Sequence, residues 1–315
     1  MKRNSVQINS TLTRPNLKRH SSQKMISSYT KRNDNSFIPV QQHKSSNTKQ
    51  PYIPKSHSIK TPLIKYSQFQ SQNSNYKHTM ENIILIQSPF NDKDNKHHLF
   101  GVFDGNGGIL SAEISQKKFP QIFTQFLKEN PINIEACFNK AFLFLDYETY
   151  INQCYDIGNT ATIVYIAGKM IYCANVGDSK CVLIVSDKVV SITTIDRVDN
   201  ESEKKRAEAA GGIFIGKKLN EDLLITRSIG NHTHKEKGLI NTPHVSKYLL
   251  TPDVSYCVIA TDGVWDYVSG EELLATIKKC KGNEKTIAKE LVDIAKMNDS
   301  KDNLSCIVIK FISGN

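Results

Sequence analysis

The stretch Leu99-Phe-Gly-Val-Phe-Asp104-Gly-Asn106-Gly-Gly108 decides how the rest of the chain is read. Leu99 to Phe103 has the length and composition of a buried strand, and it stops at a carboxylate followed by glycines. Asp104 is thereby placed at a strand end, where Gly105 lets the backbone turn and offers a bare carbonyl. Such oxygens suit a hard cation, Mg²⁺ or Mn²⁺. Taken alone, Asp-Gly after a strand is more often a plain tight turn. A calcium loop is excluded, because Ile109 stands where the turn glycine belongs and Ser115 where the bidentate glutamate belongs.

The same junction returns downstream. Cys257-Val-Ile-Ala-Thr-Asp262-Gly263-Val-Trp-Asp266 is again an apolar run that ends in an acid and a glycine. Asp302 directly precedes the last apolar run, and Asp178 sits at a strand end after Asn175-Val-Gly177. One such acid is a turn residue, whereas four at strand ends that sheets can bring together form a carboxylate cluster. Clustered carboxylates repel one another unless cations neutralise them. Oxygen donors without His or Cys favour Mg²⁺ or Mn²⁺ over zinc. Two such ions suit metal-assisted hydrolysis of a phosphate ester, with a water between them as nucleophile.

The 315 residues suffice for one large domain or two small ones, and 39% hydrophobic residues allow a sizeable core. The net charge of +10 is uneven: residues 1–65 hold thirteen Lys and Arg against the single acid Asp34, so that segment carries +12 and the remainder −2. Basicity belongs to the tail, and no specific nucleic-acid partner is expected. Residues 1–62, rich in Ser, Asn, Gln and Lys with five prolines, read as a disordered basic tail ahead of a folded domain over 63–315. The clusters Lys18-Arg19-His20 and Lys31-Arg32 are candidate nuclear import signals, although an ordinary solvated tail explains both. The tail also shares the basic, acid-poor composition of an organelle presequence but lacks an amphipathic stripe. Seven cysteines show no C-x-x-C spacing, and Cys173, Cys257 and Cys306 lie in apolar runs where a thiol acts as a small hydrophobe. No run approaches the roughly 18 apolar residues of a membrane span, and no secretory leader is evident. A cytoplasmic setting is expected, with the nucleus as an alternative.

Periodicity places strands at Ile64–Gln70, Ile83–Ile86 and Leu99–Asp104. Helical spacing follows through Ala112, Phe119, Phe123 and Phe126, with Pro120 expected to start a fresh turn, and a second helix runs over about 133–155. Four runs within 160–192 read as an antiparallel meander. A short charged helix over 202–210, strands at Leu223–Thr226 and Tyr256–Thr261, two helices within 270–296 and a last strand from Asn303 complete the pattern. Helices in pairs between groups of strands argue against a doubly wound parallel sheet. The expectation is an α+β fold, two packed antiparallel sheets flanked by helix pairs.

The order of motifs resembles the type-2C metal-dependent Ser/Thr protein phosphatases. Phe100 to Gly108 is similar to their F-G-V-F-D-G-H-G-G, Gly158-Asn-Thr-Ala161 to G-S-T-A, and Asn175-Val-Gly-Asp-Ser-Lys180 to N-V-G-D-S-R. Glu208-Ala-Ala-Gly-Gly212, Leu224-Ile-Thr-Arg-Ser-Ile-Gly230, Ala260-Thr-Asp-Gly-Val-Trp-Asp266 and Ser300-Lys-Asp-Asn303 follow in the family's order. Each motif is weak, but seven in sequence are specific. The resemblance implies the four-layer α-β-β-α sandwich and hydrolysis of phosphoserine and phosphothreonine in phosphoprotein substrates; a monomer is the default expectation. It implies that Asp104 bridges two Mg²⁺ or Mn²⁺ ions, that the Gly105 carbonyl binds one of them, that Asp262 and Asp302 complete the second site, and that Glu81 holds metal-bound water. Asp178 resembles the acid that helps bind a third, weaker ion in some members, and residues from about 213 to 244 correspond to the flap beside the cleft.

Four positions depart from the family. Lys77 stands for the arginine that grips the substrate phosphate, keeping the charge but losing the bidentate fork. Asn106 replaces the histidine proposed to protonate the leaving alkoxide. Asn82 and Asn231 replace acids, an expected loss of up to two negative charges and of cation affinity. A phosphatase-like binding module without turnover is therefore the competing class.

Overall fold

The computed structural model describes residues 61–91 and 95–312; the expected disordered tail lies almost wholly outside the described residues. In chain order the strands are β1 (Leu63–Ser71), β2 (Asn82–Gln87), β3 (His97–Asn106), β4 (Gly158–Asn159), β5 (Ala161–Ala167), β6 (Met170–Val176), β7 (Lys180–Val185), β8 (Lys188–Ser191), β9 (Phe214–Ile215), β10 (Lys218–Leu219), β11 (Ile229–Gly230), β12 (His244–Leu249), β13 (Val254–Ala260) and β14 (Leu304–Ile312). Helices α1 (Leu110–Glu129) and α2 (Ile134–Ile151) follow β3, and α3 (Glu201–Ala209) follows β8. Three more, α4 (Asp262–Trp265), α5 (Gly270–Lys279) and α6 (Glu284–Met297), separate β13 from β14.

One sheet has the order β1-β14-β13-β7-β8, and the other β11-β4-β3-β5-β6-β12 with β2 also paired to β3. The ladders within both sheets are antiparallel. Alternation along the central strands then builds four layers. Phe100 and Val102 of β3 meet Ile307 and Ile309 of β14, together with Cys173, Cys181 and Cys257, in the seam between the sheets. The intervening residues face out: Leu99 and Phe103 pack with Phe119, Phe123, Phe138 and Phe142 of α1 and α2. Cys306 and Val308 pack with Leu273, Ile287 and Leu291 of α5 and α6 on the other side.

Three local expectations change. The strands within 160–192 form two separate hairpins, β5–β6 in one sheet and β7–β8 in the other. The chain crosses between sheets at Gly177, whose φ of +93° suits glycine, and where a Cβ would come within 2.6 Å of the Thr160 methyl. Leu223–Thr226 forms only isolated bridges, and its neighbours Leu223 and Ile225 join a small core under the flap with Ala207, Leu219 and Leu239. Pro120 lies inside one continuous α1, buried, and the helix tolerates it without a fresh start. Helix starts follow cap chemistry: the Asn133 side chain accepts from Ala136 N–H, and Ser269 with Glu272 forms a capping box on α5. Strand β12, absent from the sequence reading, pairs along β6.

Phe123 stacks on Phe138 with centroids 4.4 Å apart and contacts Phe119 at 5.3 Å. Phe123→Ala is expected to cost about 3–5 kcal/mol in urea unfolding, the range for an aromatic removed from a dry core. A loss below 1 kcal/mol would show that the helix pair is not held through this ring.

Candidate active site

The four strand-end acids meet at one end of the sandwich. Asp104 comes from the C-terminal end of β3 in one sheet, while Asp262 opens α4 after β13 and Asp302 precedes β14 in the other. Asp178 follows the crossover at Gly177. Asp104 feels Asp262, Asp178 and Asp302 together. Burial, then the charge and close approach of Asp262, raise the Asp104 carboxyl well above the ordinary carboxylate range. Burial and the charges of Asp178 and Asp302 push Asp262 up to about 7, although Asp104 and Arg197 pull the other way. Buried Oδ1 of Asp262 has no hydrogen-bond partner among the described residues.

The surrounding contacts hold this unfavourable arrangement. Asn303 donates from its amide to the carbonyls of Gln72 (2.9 Å) and Thr79 (3.0 Å), and its Oδ1 accepts from Glu81 N–H at 2.9 Å. Glu81 in turn accepts the Gly105 N–H on its carbonyl at 3.2 Å, and its side chain accepts from the Thr79 hydroxyl. Opposite Asp104 in the β2–β3 ladder sits Asn82, whose amide donates to Thr261 Oγ1 at 3.2 Å while its buried Oδ1 lacks a partner among the described residues. Gly263 lets α4 lie against the Asp302 loop, since a Cβ there would fall 2.3 Å from the Asn303 carbonyl.

Lys77 Nζ lies 2.7 Å from Asp302 Oδ1. Burial works against its charge, but Asp302, Asp104 and Glu81 outweigh that and raise its pKa. Asn106, half-buried, ends β3 opposite Gly158. Asn231 bonds away from the acids: its Oδ1 accepts from Ser228 and its amide donates to the Asp156 carbonyl, with Gly158 beneath it. Asn231 thus bonds at the β4–β11 edge, whereas Asn82 stands directly opposite Asp104 in the β2–β3 ladder.

Sequence reasoning missed Arg197 and Asp266. Arg197 donates from Nε to Asp178 Oδ2 (2.8 Å), from Nη1 and Nη2 to Asp266 (3.0 and 2.7 Å), and from Nη2 to Asp262 Oδ2 (3.3 Å). Asp266 stood within a recognised motif without a role, while nothing near Arg197 in sequence signals its partners. A second polar cluster, Asp196, Glu203 and His244, has donor atoms close enough for an ion. Arg227 lies among them, however, with Nη2 at 2.6 Å from Glu203, and Arg206 binds the same carboxylate. Burial opposes ionised Glu203, yet both arginines hold it down at about 2, so this cluster is a salt-bridge support beneath the flap.

A family model described as protein phosphatase 2C matches residues 67–304. "Probable protein phosphatase 2C 7" of Oryza sativa subsp. japonica is 34% identical over 254 residues, covering 78% of this chain and 65% of that protein. "Probable protein phosphatase 2C 59" of Arabidopsis thaliana is 30% identical, covering 68% and 70%. Among solved structures, serine-threonine phosphatase 2C from Toxoplasma gondii superposes with a TM-score of 0.69 at 18% identity, over 81% of this chain and 98% of that one. The catalytic domain of the serine threonine protein phosphatase PstP, solved in complex with two manganese ions, gives a TM-score of 0.56 at 16% identity, over 79% and 98%. The two-sheet sandwich is the fold this chain shares with both structures. The chain belongs to the protein phosphatase 2C family. It spans 50% to 66% of the length of the first three curated relatives.

The raised carboxyls set a sign for metal-free stability. Asp262 has an ordinary value of 3.8 and a folded value of about 7, so the folded state binds the extra proton and loses stability as pH rises towards 7. His232, held by burial at about 4, gives the opposite slope, but only below its ordinary 6.5. In chelator, the melting temperature is expected to fall between pH 6.5 and 8 and to recover on adding Mn²⁺ at pH 8. A rise over that interval would contradict the clustering of ionisable carboxylates.

Proposed function

We propose that this chain hydrolyses phosphoserine and phosphothreonine in phosphoproteins with the help of two Mg²⁺ or Mn²⁺ ions. The carrying observation is the convergent set Asp104, Asp262 and Asp302, whose mutual repulsion raises the first two carboxyls, with the Asp262 oxygen that lacks a hydrogen bond among the described residues. The residues fit such ions: all donors are oxygens, no thiol or imidazole intrudes among the named donors, and the raised carboxyls mark missing positive charge. Asp104, the Gly105 carbonyl, Asp262 and Asp302 would hold them, with Glu81 beside and Asp178 at the margin. When bound, divalent ions supply Lewis acidity and a water acidic enough to attack phosphorus near neutral pH.

The chain's own side chains do the rest. Lys77 presents an ammonium that can pass from Asp302 to a phosphate oxygen, a point charge rather than a fork. Asn303 and Thr261 keep the strand ends at their spacing. The location we propose is cytoplasmic, with the nucleus as the alternative. Among the described residues no helix is long and apolar enough to cross a membrane.

Hydrolysis of p-nitrophenyl phosphate should appear with Mn²⁺ and vanish with chelator. Asp262→Asn should abolish calorimetric Mn²⁺ binding, and unchanged affinity in that variant would remove these residues as the site. No turnover by a chain that binds Mn²⁺ would instead favour the binding-module reading, which Asn106 and Lys77 motivate.

Departure of a serine alkoxide needs a proton, and a positioned general acid contributes on the order of 10²–10⁴ in rate. The Asn106 carboxamide does not titrate in the useful range, so that proton must come from water. A nitrophenolate leaves almost without protonation. Turnover of p-nitrophenyl phosphate is therefore expected to exceed that of phosphoserine peptides. Asn106→His should raise kcat for the peptide far more than for the aryl ester and introduce a titrating group near neutral pH. An equal gain on both substrates would show that Asn106 is not where the proton is missing.

A further inference from the structure

One cation already sits inside the acidic site. The Arg197 guanidinium is surrounded by three carboxylates drawn from three places in the chain: Asp178 after the sheet crossover, Asp262 at the start of α4, and Asp266 just beyond its end. Its fork lies across both oxygens of Asp266, its Nε takes Asp178, and Nη2 also reaches Asp262. All its donor directions toward this corner are used.

The backbone on either side of Arg197 is pinned. Asp196 accepts the Gly177 N–H and bonds to His244, Arg197 bridges to Ile225, and Val198 N–H donates to the Leu224 carbonyl. The side chain thus leaves a fixed point at the base of the flap and reaches inward. A guanidinium does not lose its proton at any working pH. A divalent ion in the same corner would need several of those oxygens at roughly 2.0–2.6 Å from one point. Asp178 Oδ2, Asp262 Oδ2 and both oxygens of Asp266 instead face nitrogens at 2.7 to 3.3 Å. Asp262 is divided: Oδ2 belongs to Arg197, and Oδ1 stays unpartnered among the described residues, on call for the centre shared with Asp104.

We propose that Arg197 is a built-in cation that closes the Asp178–Asp262–Asp266 corner to a third divalent ion and holds Asp262 with one oxygen committed to the two-ion centre. This inference rests on the two-ion reading above. It makes Arg197 a positioning residue, acting through Asp262, and it ties the base of the flap to the metal end of the sandwich. The third, weaker ion that the family resemblance attaches to Asp178 is then replaced in this chain by a side chain.

The test counts ions. Bound Mn²⁺ per chain is measured by equilibrium dialysis with elemental analysis on the full chain and on Arg197→Ala, Arg197→Gln, Arg197→Lys and the double variant Arg197→Ala with Asp266→Asn. Thermal unfolding in Mn²⁺ identifies the folded variants, and Arg197→Gln, which keeps length and polarity, stands in should Arg197→Ala not fold. The expected result is two ions for the unaltered chain, three for Arg197→Ala and Arg197→Gln, two for Arg197→Lys, and two again when Asp266→Asn is added. Three ions in the unaltered chain, or two in both folded neutral variants, would overturn the proposal while leaving the two-ion centre standing. No ion in any variant would remove that centre, and this inference with it.

Discussion

Like charges held together at the end of a sandwich are the condition around which this protein is arranged. Asp104 arrives from one sheet, Asp262 and Asp302 from the other, and Asp178 from the crossing between them. Their mutual repulsion opposes the packing of the sheets at that end, so the seam behind them has to fix the strand ends. It does so with interdigitated residues from both sheets, Phe100, Val102, Ile307 and Ile309 among them, all fully buried. A polar layer between core and acids adds direction: Thr261, Asn82, Asn303 and Thr160 hydrogen-bond to backbone or to one another across strands that are distant in sequence.

Most of the architecture was legible because it depends on alternation and spacing within single elements. The Leu99–Phe103 run, the phenylalanines of α1 and α2, and the runs around Val258 and Val308 each carry both faces of their element in the local sequence. What was not legible depends on pairing. Apolar runs separated by short turns look alike whether the chain pairs back or switches sheets, so the β6–β7 crossover at Gly177 passed for a hairpin turn. Strand β12 escaped because His244, Ser246 and Lys247 give it a polar, edge-strand composition. Leu223 and Ile225 looked like a strand because they are buried, but what buries them is the small core under the flap.

The site divides in the same way. Asp104, Asp262, Asp302 and Asp178 announced themselves by standing at the ends of apolar runs, and their convergence was inferable from topology. Arg197 did not, since a basic residue between Asp196 and Asp199 reads as part of a solvated charged segment. Its partners lie 19, 65 and 69 positions away. Asn231 shows the reverse case. An amide in place of an acid in a recognised motif looked like a change at the metals, whereas its hydrogen bonds fasten the β4–β11 edge.

Charge at the centre gives the arrangement its last constraint. Asp104, Asp178, Asp262, Asp266, Asp302 and Glu81 supply six carboxylates, against which Lys77 and Arg197 supply two fixed positive charges. Fully ionised, the set is left at −4, the charge that two divalent ions neutralise. An acid at position 82 would have made it −5, and loss of Arg197 would do the same from the other side. Metal-free, the deficit is met by protons, which is why burial and mutual repulsion raise Asp104 and Asp262 rather than Glu203, whose arginines are already in contact. The amide at Asn82 and the guanidinium at Arg197 act in the same direction on the same sum, so that, on the proposed two-ion reading, little charge is left with which to hold a third ion.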